Sequence, residues 1–186
     1  IYGGVKGNLV KKLNYNLSAR YNYAKNMAFY RLDTLSEHLN QFDVEYHNGN
    51  VLNITLCLDY EILKNLHINF DANYWLYLLK NKAVALHKPM LQFAFNGRYI
   101  LKEKFAFDLN FDLEFGHKAL KYNDIRQKYE ITNLRPILDF GIGFEYFIND
   151  HFTAFANINN IACQHYMKYY DYPNLGINGV IGCTYL

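Results

Sequence analysis

Carboxylates recur along this chain at even spacings: Asp59 with Glu61, Asp108 with Asp112 and Glu114, and Asp139 with Glu145, with Asp71 between the first two groups. In an extended strand, residues an even number apart share a face, so these eight acids fall on a common polar side with only Lys6, Arg20 and Arg98. Such a face could attract cations or dock a basic protein surface. It could equally satisfy itself by pairing across strands, as Arg98 would with Asp108. The seven histidines, His38, His47, His67, His87, His117, His151 and His165, invite a metal or acid–base reading. None has the close paired spacing of a zinc site, and most fall at strand ends or in loops, where a solvated histidine is the expectation. His87 and His117 lie near Glu114 in the expected topology, but Ser18 and Ser36 are the chain's only serines and neither is near them. No catalytic residue, metal ligand or cofactor is expected, and the chain is read as a non-enzyme.

The elements that would position these groups are long strands. Residues 105 to 115 set Phe105, Phe107, Leu109, Phe111, Leu113 and Phe115 against Ala106, Asp108, Asn110, Asp112 and Glu114. The same period of two recurs at residues 13–23, 52–62, 66–74, 91–101, 138–146 and 177–185. A soluble sandwich also alternates. Soluble strands usually run about 5–6 residues, whereas these hold phase for roughly 10, the length a tilted strand needs to cross a bilayer. The pattern predicts an all-β, antiparallel up-and-down transmembrane β-barrel, with its apolar face to lipid and its polar face to the lumen. No apolar run approaches the ~18 residues of a membrane-spanning helix.

Short, basic turns alternate with long connections. The turns are Val10-Lys11-Lys12, Leu63-Lys64-Asn65, Lys102-Glu103-Lys104 and Asn149-Asp150; the long connections cover about 30–40, 79–88, 117–135 and 162–174. Barrels of the outer membrane have short periplasmic turns and longer extracellular loops, which orients the chain. Pairing Leu101 with Phe105 puts Arg98 opposite Asp108 and Tyr99 opposite Phe107, on matching faces; the turn at Lys64 pairs Asp59 with Asn69 and Leu58 with Phe70. Counting predicts nine strands, about 1–9, 13–29, 41–62, 66–78, 89–101, 105–116, 136–148, 152–161 and 176–186. Nine is odd, and single-chain bacterial barrels are even. The economical expectation is a single-domain segment, residues 1–186, forming the C-terminal part of a larger barrel.

A net charge of +2 without a basic stripe argues against nucleic acid as a partner. Eighteen tyrosines suit the bilayer interface, and Tyr21, Tyr23, Tyr74, Tyr99 and Tyr146 are the girdle candidates. Cys57 and Cys183 fall on opposite sheet faces and cannot bridge; all three cysteines, Cys163 included, are read as small apolar fillers. The aromatic stretch from Tyr166 to Tyr172 lies in a long connection, where Tyr166, Tyr169, Tyr170 and Tyr172 could stack on a flat ligand or partner, or simply pack the loop.

The last thirty residues carry the most specific pattern: Asn159-Asn160-Ile161, then Tyr172-Pro173 leading to Gly176-Ile177-Asn178, and Gly182-Cys183-Thr184-Tyr185 at the end. Together with Asn40-Gln41-Phe42-Asp43-Val44, this resembles the final strands of TonB-dependent outer-membrane receptors, in the flavour of those from Bacteroidota. The resemblance implies a cell outer-membrane location, membrane lipid as surroundings, and a plug domain or other outer-membrane or periplasmic proteins as partners. It implies a transport barrel importing a nutrient, with loops 117–135 and 162–174 in binding. Two departures stand beside it: the chain carries neither plug nor TonB-box motif, and the lipid-face series Ile177, Ile181, Cys183, Tyr185 calls for an aromatic at position 187. A plug-less barrel serving as a structural subunit of an outer-membrane complex, and a complete eight-stranded adhesin or anchor, are the alternatives.

Overall fold

The computed structural model describes residues 1–34 and 41–185; Ser36, His38, Asn40 and Leu186 lie outside them. Among the described residues thirteen strands follow one another: β1 (Tyr2–Val10), β2 (Leu13–Leu32), β3 (Phe42–Leu63), β4 (Leu66–Leu79), β5 (Leu91–Leu101), β6 (Phe105–Phe115), β7 (Lys118–Asn123), β8 (Lys128–Asn133), β9 (Ile137–Phe147), β10 (Phe152–Asn159), β11 (Met167–Tyr169), β12 (Tyr172–Pro173) and β13 (Asn178–Tyr185). Nine of them form one antiparallel meander in the order β1-β2-β3-β4-β5-β6-β9-β10-β13, the architecture of a barrel wall. The two insertions, β7–β8 and β11–β12, make separate two-stranded sheets.

The nine wall strands match the nine expected, and the hairpin registers match residue for residue. Arg98 pairs with Asp108 and Tyr99 with Phe107; Asp59 pairs with Asn69 and Leu58 with Phe70. Because side chains alternate, one correct pair fixes the face of every other residue in the hairpin. The differences fall at the long-loop end. β2 continues to Leu32 rather than stopping near residue 29, and the stretch 117–135 is not a plain loop but carries the β7–β8 hairpin. At roughly 3.3 Å per residue, β2 and β3 are each over 60 Å long, about twice the thickness of a bilayer's hydrocarbon core. Their upper halves therefore stand clear of any membrane the lower halves cross. A bulge between Ala24 and Met27 marks the transition; Asn26 sits there at φ 52° and its N–H donates to Asn48 Oδ1 at 2.7 Å.

The short turns are tight. Lys102 and Glu103 both have positive φ, and the Lys104 N–H returns to the Leu101 carbonyl at 3.1 Å. This mirror-image turn suits the right-handed twist of the flanking strands. The apolar face stays open to the surroundings: Phe107, Leu109, Ile142, Phe144 and Ile158 are all exposed. The buried side chains gather elsewhere. Apart from Ala106, they lie at the long-loop end, with Phe29, Leu32, Leu86, Ala119, Leu120, Ile137 and Tyr166 as the apolar set. The protein thus has a greasy belt along the sheet and a packed cap at one end.

Candidate functional site

The polar face holds every acid expected there, in three clusters set by strand register. Nearest the short turns, Arg98 on β5 forks across two strands. Its Nη1 donates to both carboxylate oxygens of Asp108 at 2.9 Å, and its Nη2 donates to Glu145 Oε2 at 2.5 Å. Gly143 makes the room: a Cβ there would lie 2.6 Å from Asn157 Oδ1 and 3.1 Å from Asp108 Cβ. Arg98→Ala would leave two carboxylates on neighbouring strands without their shared cation. The site is partly open to water, so the loss should be modest, about 1–2 kcal/mol, read as a lowered urea midpoint of the folded protein in detergent. Arg98→Lys, which cannot fork across both acids, should fall between the two.

The second cluster spans β2 to β4. Lys12 pairs with Glu61, and Asn69 Nδ2 donates to Asp59 Oδ2 at 3.1 Å. Asp59 and Asn69, with Lys6, Asn16, Cys57 and Asp71, border a recess of about 480 Å³. Arg20 is not in this network; its guanidinium lies 5.7 Å above the Tyr2 ring. The cysteines depart from the filler reading: Cys57 is half-buried on the polar face, and Cys163 and Cys183 are exposed.

The third cluster sits under the cap. Asp112 and Asp139 face each other across β6 and β9, and Glu114 lies one step above Asp112. Asp139 is held from two sides: Oδ1 accepts from the Asn160 N–H at 2.9 Å, and Oδ2 accepts from the Tyr166 hydroxyl at 3.0 Å. Burial and the adjacent Asp139 carboxylate push the Tyr166 phenol up to about 12, which keeps it a neutral donor. Glu114 pairs with His117 at 2.8 Å and stands 3.5 Å from Lys168 Nζ.

Two histidines correct the solvated reading. His117 is 1% exposed and His87 5% exposed. Gly116, at φ 82° and with Met90 Cβ 2.5 Å from where its own Cβ would be, lets the chain bend out of β6 into the buried His117. His87 ties three segments together. Its Nδ1 lies 2.9 Å from the Tyr30 carbonyl, its Nε2 accepts from the Tyr170 N–H at 3.3 Å, and its own N–H donates to the Lys118 carbonyl at 2.8 Å. Its ring packs against Phe42 and Tyr169 at 5.4 and 5.2 Å. A ring that donates at Nδ1 and accepts at Nε2 is the neutral tautomer.

Burial lowers the His87 pKa below the ordinary histidine value, the Tyr30 carbonyl opposes that shift, and the neighbouring His117 reinforces it. The open cap, with His87 in water, binds the proton more readily than the closed one. The closed cap is therefore at full stability above about pH 6.5 and loses stability as the pH falls below it. Hydrogen-exchange protection factors across residues 166–173, corrected for the intrinsic pH dependence of amide exchange, should fall between pH 7.5 and pH 5, and His87→Phe should flatten that dependence.

The four loop tyrosines divide. Tyr166 is buried and committed to Asp139, so it is not a ligand-stacking surface. Tyr169 packs edge-on to Tyr30 and Phe42. Tyr170 offers its backbone to His87. Tyr172 stacks obliquely on Phe42 and is 51% exposed, the most available of the set. Of the girdle candidates, Tyr21, Tyr23, Tyr99 and Tyr146 are exposed on the apolar face and Tyr74 is half-exposed. The burial of His87, His117 and Asn160 is what sequence reasoning missed; the Tyr170 N–H that meets His87 lies 83 residues along the chain, beyond any local pattern.

No protein-family model and no curated protein matches the chain. Solved structures do. The ferripyoverdine receptor of the outer membrane of Pseudomonas aeruginosa, bound to ferripyoverdine, superposes with a TM-score of 0.73 at 15% identity, covering 99% of this chain and 26% of the receptor. The ferric-catecholate import receptor Fiu of Escherichia coli K12 gives 0.68 at 11% identity, covering 99% of this chain and 27% of Fiu. The FrpB iron transporter of Neisseria meningitidis gives 0.67 at 12% identity, covering 98% and 30%. The likeness establishes the fold: this chain has the form of under a third of an outer-membrane receptor barrel.

Proposed function

We propose that these residues form the C-terminal wall of an outer-membrane transport barrel of the TonB-dependent receptor type, resembling those of Bacteroidota, which imports a nutrient from outside the cell. The observation that carries this is the nine-stranded meander with one continuous apolar face and one ionic face, superposing over nearly its whole length on import receptors. The apolar face meets outer-membrane lipid, and the ionic face lines a lumen. There, the acids of β3, β4, β6 and β9 are placed to dock a plug domain or another outer-membrane or periplasmic protein. The barrel wall does no covalent chemistry. The cap at the long-loop end is extracellular, with Tyr172 and the β7–β8 hairpin on its accessible side for ligand or partner contact.

Deletion of the gene should abolish growth on at least one nutrient in a panel of iron chelates, cobamides and oligosaccharides supplied as sole source. Unchanged uptake of the whole panel would overturn the transport reading. Co-purification of stoichiometric partner proteins with unchanged uptake would favour a structural subunit in its place. The mass of the polypeptide from native outer membranes should greatly exceed that of this 186-residue chain; an equal mass would support a complete small barrel.

A further inference from the structure

Gly97 is the one position on the apolar face of β5 without a large side chain; Leu91, Phe93, Phe95, Tyr99 and Leu101 occupy the others. Two other glycines of the wall, Gly143 and Gly182, are demanded by packing. A Cβ at Gly143 would meet Asn157 Oδ1 at 2.6 Å, and one at Gly182 would meet the Phe155 ring at 2.6 Å. At Gly97 the nearest atoms to such a Cβ are 3.5 Å away on Phe95 and 3.9 Å away on Leu109, both ordinary contacts, and φ is not in the left-handed region. Neither backbone nor packing requires glycine there. Its effect is to leave a hollow of about 580 Å³ on the apolar face, bordered by Ile68, Phe95, Tyr99, Phe107, Leu109 and Phe144.

The hollow has a defined depth and a charged rim. Gly97 lies four residues before the end of β5, roughly 9–13 Å from the short turn allowing for strand tilt, which is within one leaflet's hydrocarbon. The short turns at that end of the strands lining it, residues 63–65, 102–104 and 148–151, carry Lys64, Lys102 and Lys104. All three are exposed, and among the described residues none is in a salt bridge. Glu103 and Asp150 are the acids in these three turns, so the lysines leave the rim with a positive balance.

We propose that the hollow over Gly97 seats one acyl chain of an anionic phospholipid, whose phosphate is met by Lys64, Lys102 and Lys104. The proposal rests on the membrane reading above. At this depth the apolar lining of the hollow suits an acyl chain, and the lysines favour an anionic headgroup over a zwitterionic one.

The test uses the intact protein extracted from outer membranes in mild detergent, with retained lipid read by native mass spectrometry after exchange with phosphatidylglycerol and phosphatidylethanolamine. The wild type should retain phosphatidylglycerol preferentially. Gly97→Leu, which has space to fold, and the double substitution Lys102→Gln with Lys104→Gln should each lower that retention about tenfold. Equal retention of the two lipids by wild type, or undiminished phosphatidylglycerol on Gly97→Leu, would overturn the proposal. So would loss on Gly97→Leu with no change in the lysine variant, which leaves no headgroup site. Gel mobility of the unheated protein reports folding of each variant. A wild type absent from the outer-membrane fraction would instead overturn the membrane reading itself.

Discussion

Phe111→Arg should destabilise the folded protein by about 2–4 kcal/mol, the cost of an arginine at the midplane on the lipid face of a barrel. Phe111 lies at the centre of β6, in a cross-strand row with Phe70 on β4, Phe95 on β5 and Phe140 on β9. A guanidinium there must either sit in hydrocarbon or bend a long way toward a headgroup. The adjacent substitution, Asn110→Arg, points to the other face, where Asp108 and Asp112 flank the position on the same strand. It should change stability by no more than about 0.5 kcal/mol. Urea titrations of the refolded protein in lipid vesicles would compare the two. Equal effects at positions 110 and 111 would mean that the faces do not meet different media, and the membrane assignment would fall with that result.

This contrast depends on alternation alone, which is why so much of the wall was legible from residues. A period of two held over ten positions specifies strand, face and length at once, and the short turn Lys102-Glu103-Lys104 then fixes register by pairing Leu101 with Phe105, which brings Arg98 opposite Asp108. The cap obeys no such rule. The β7–β8 hairpin has strands of six residues; Lys128–Asn133 alternates, but in Lys118–Asn123 the neighbours Ala119 and Leu120 are both buried, and neither strand is long enough to separate from polar loop sequence. His87 gives no local sign of burial, because what buries it arrives from Tyr30, Phe42 and Tyr169. Glu130, half-buried between Arg126, Asn123 and Lys128, is drawn down to about 2 by those partners, all within seven residues, yet the turn that gathers them is visible only once the hairpin is known. Tyr166 was legible as an aromatic in a loop; that its hydroxyl would reach Asp139, 27 positions earlier, was not.

Asn160 joins the two levels. It belongs to the Asn159-Asn160-Ile161 pattern that drew attention in the sequence, and the structure supplies a physical reason for an asparagine there. It has positive φ, 49°, a conformation asparagine tolerates better than most residues, and it is fully buried. Its Nδ2 donates to the carbonyls of Gln164 at 3.1 Å and Leu175 at 3.0 Å, while its Oδ1 accepts from the Gln164 N–H at 3.0 Å. Its own N–H holds Asp139. One side chain therefore closes the turn after β10 and ties the far end of the 160–175 connection back to it. Asn160→Ala keeps the backbone bond to Asp139 but deprives two carbonyls and one N–H of their partner, in a place shut off from water. The expected cost is about 3 kcal/mol, from three lost bonds at about 1 kcal/mol each. Asn160→Asp should cost at least as much, since an acceptor would then face two carbonyls where a donor is needed. Because the bonds lie within the cap, the loss should be local: faster proteolytic cleavage between residues 160 and 175, with the wall strands protected as before. Cleavage rates unchanged in Asn160→Ala would show that Asp139, Tyr166 and Gln164 hold the connection without it.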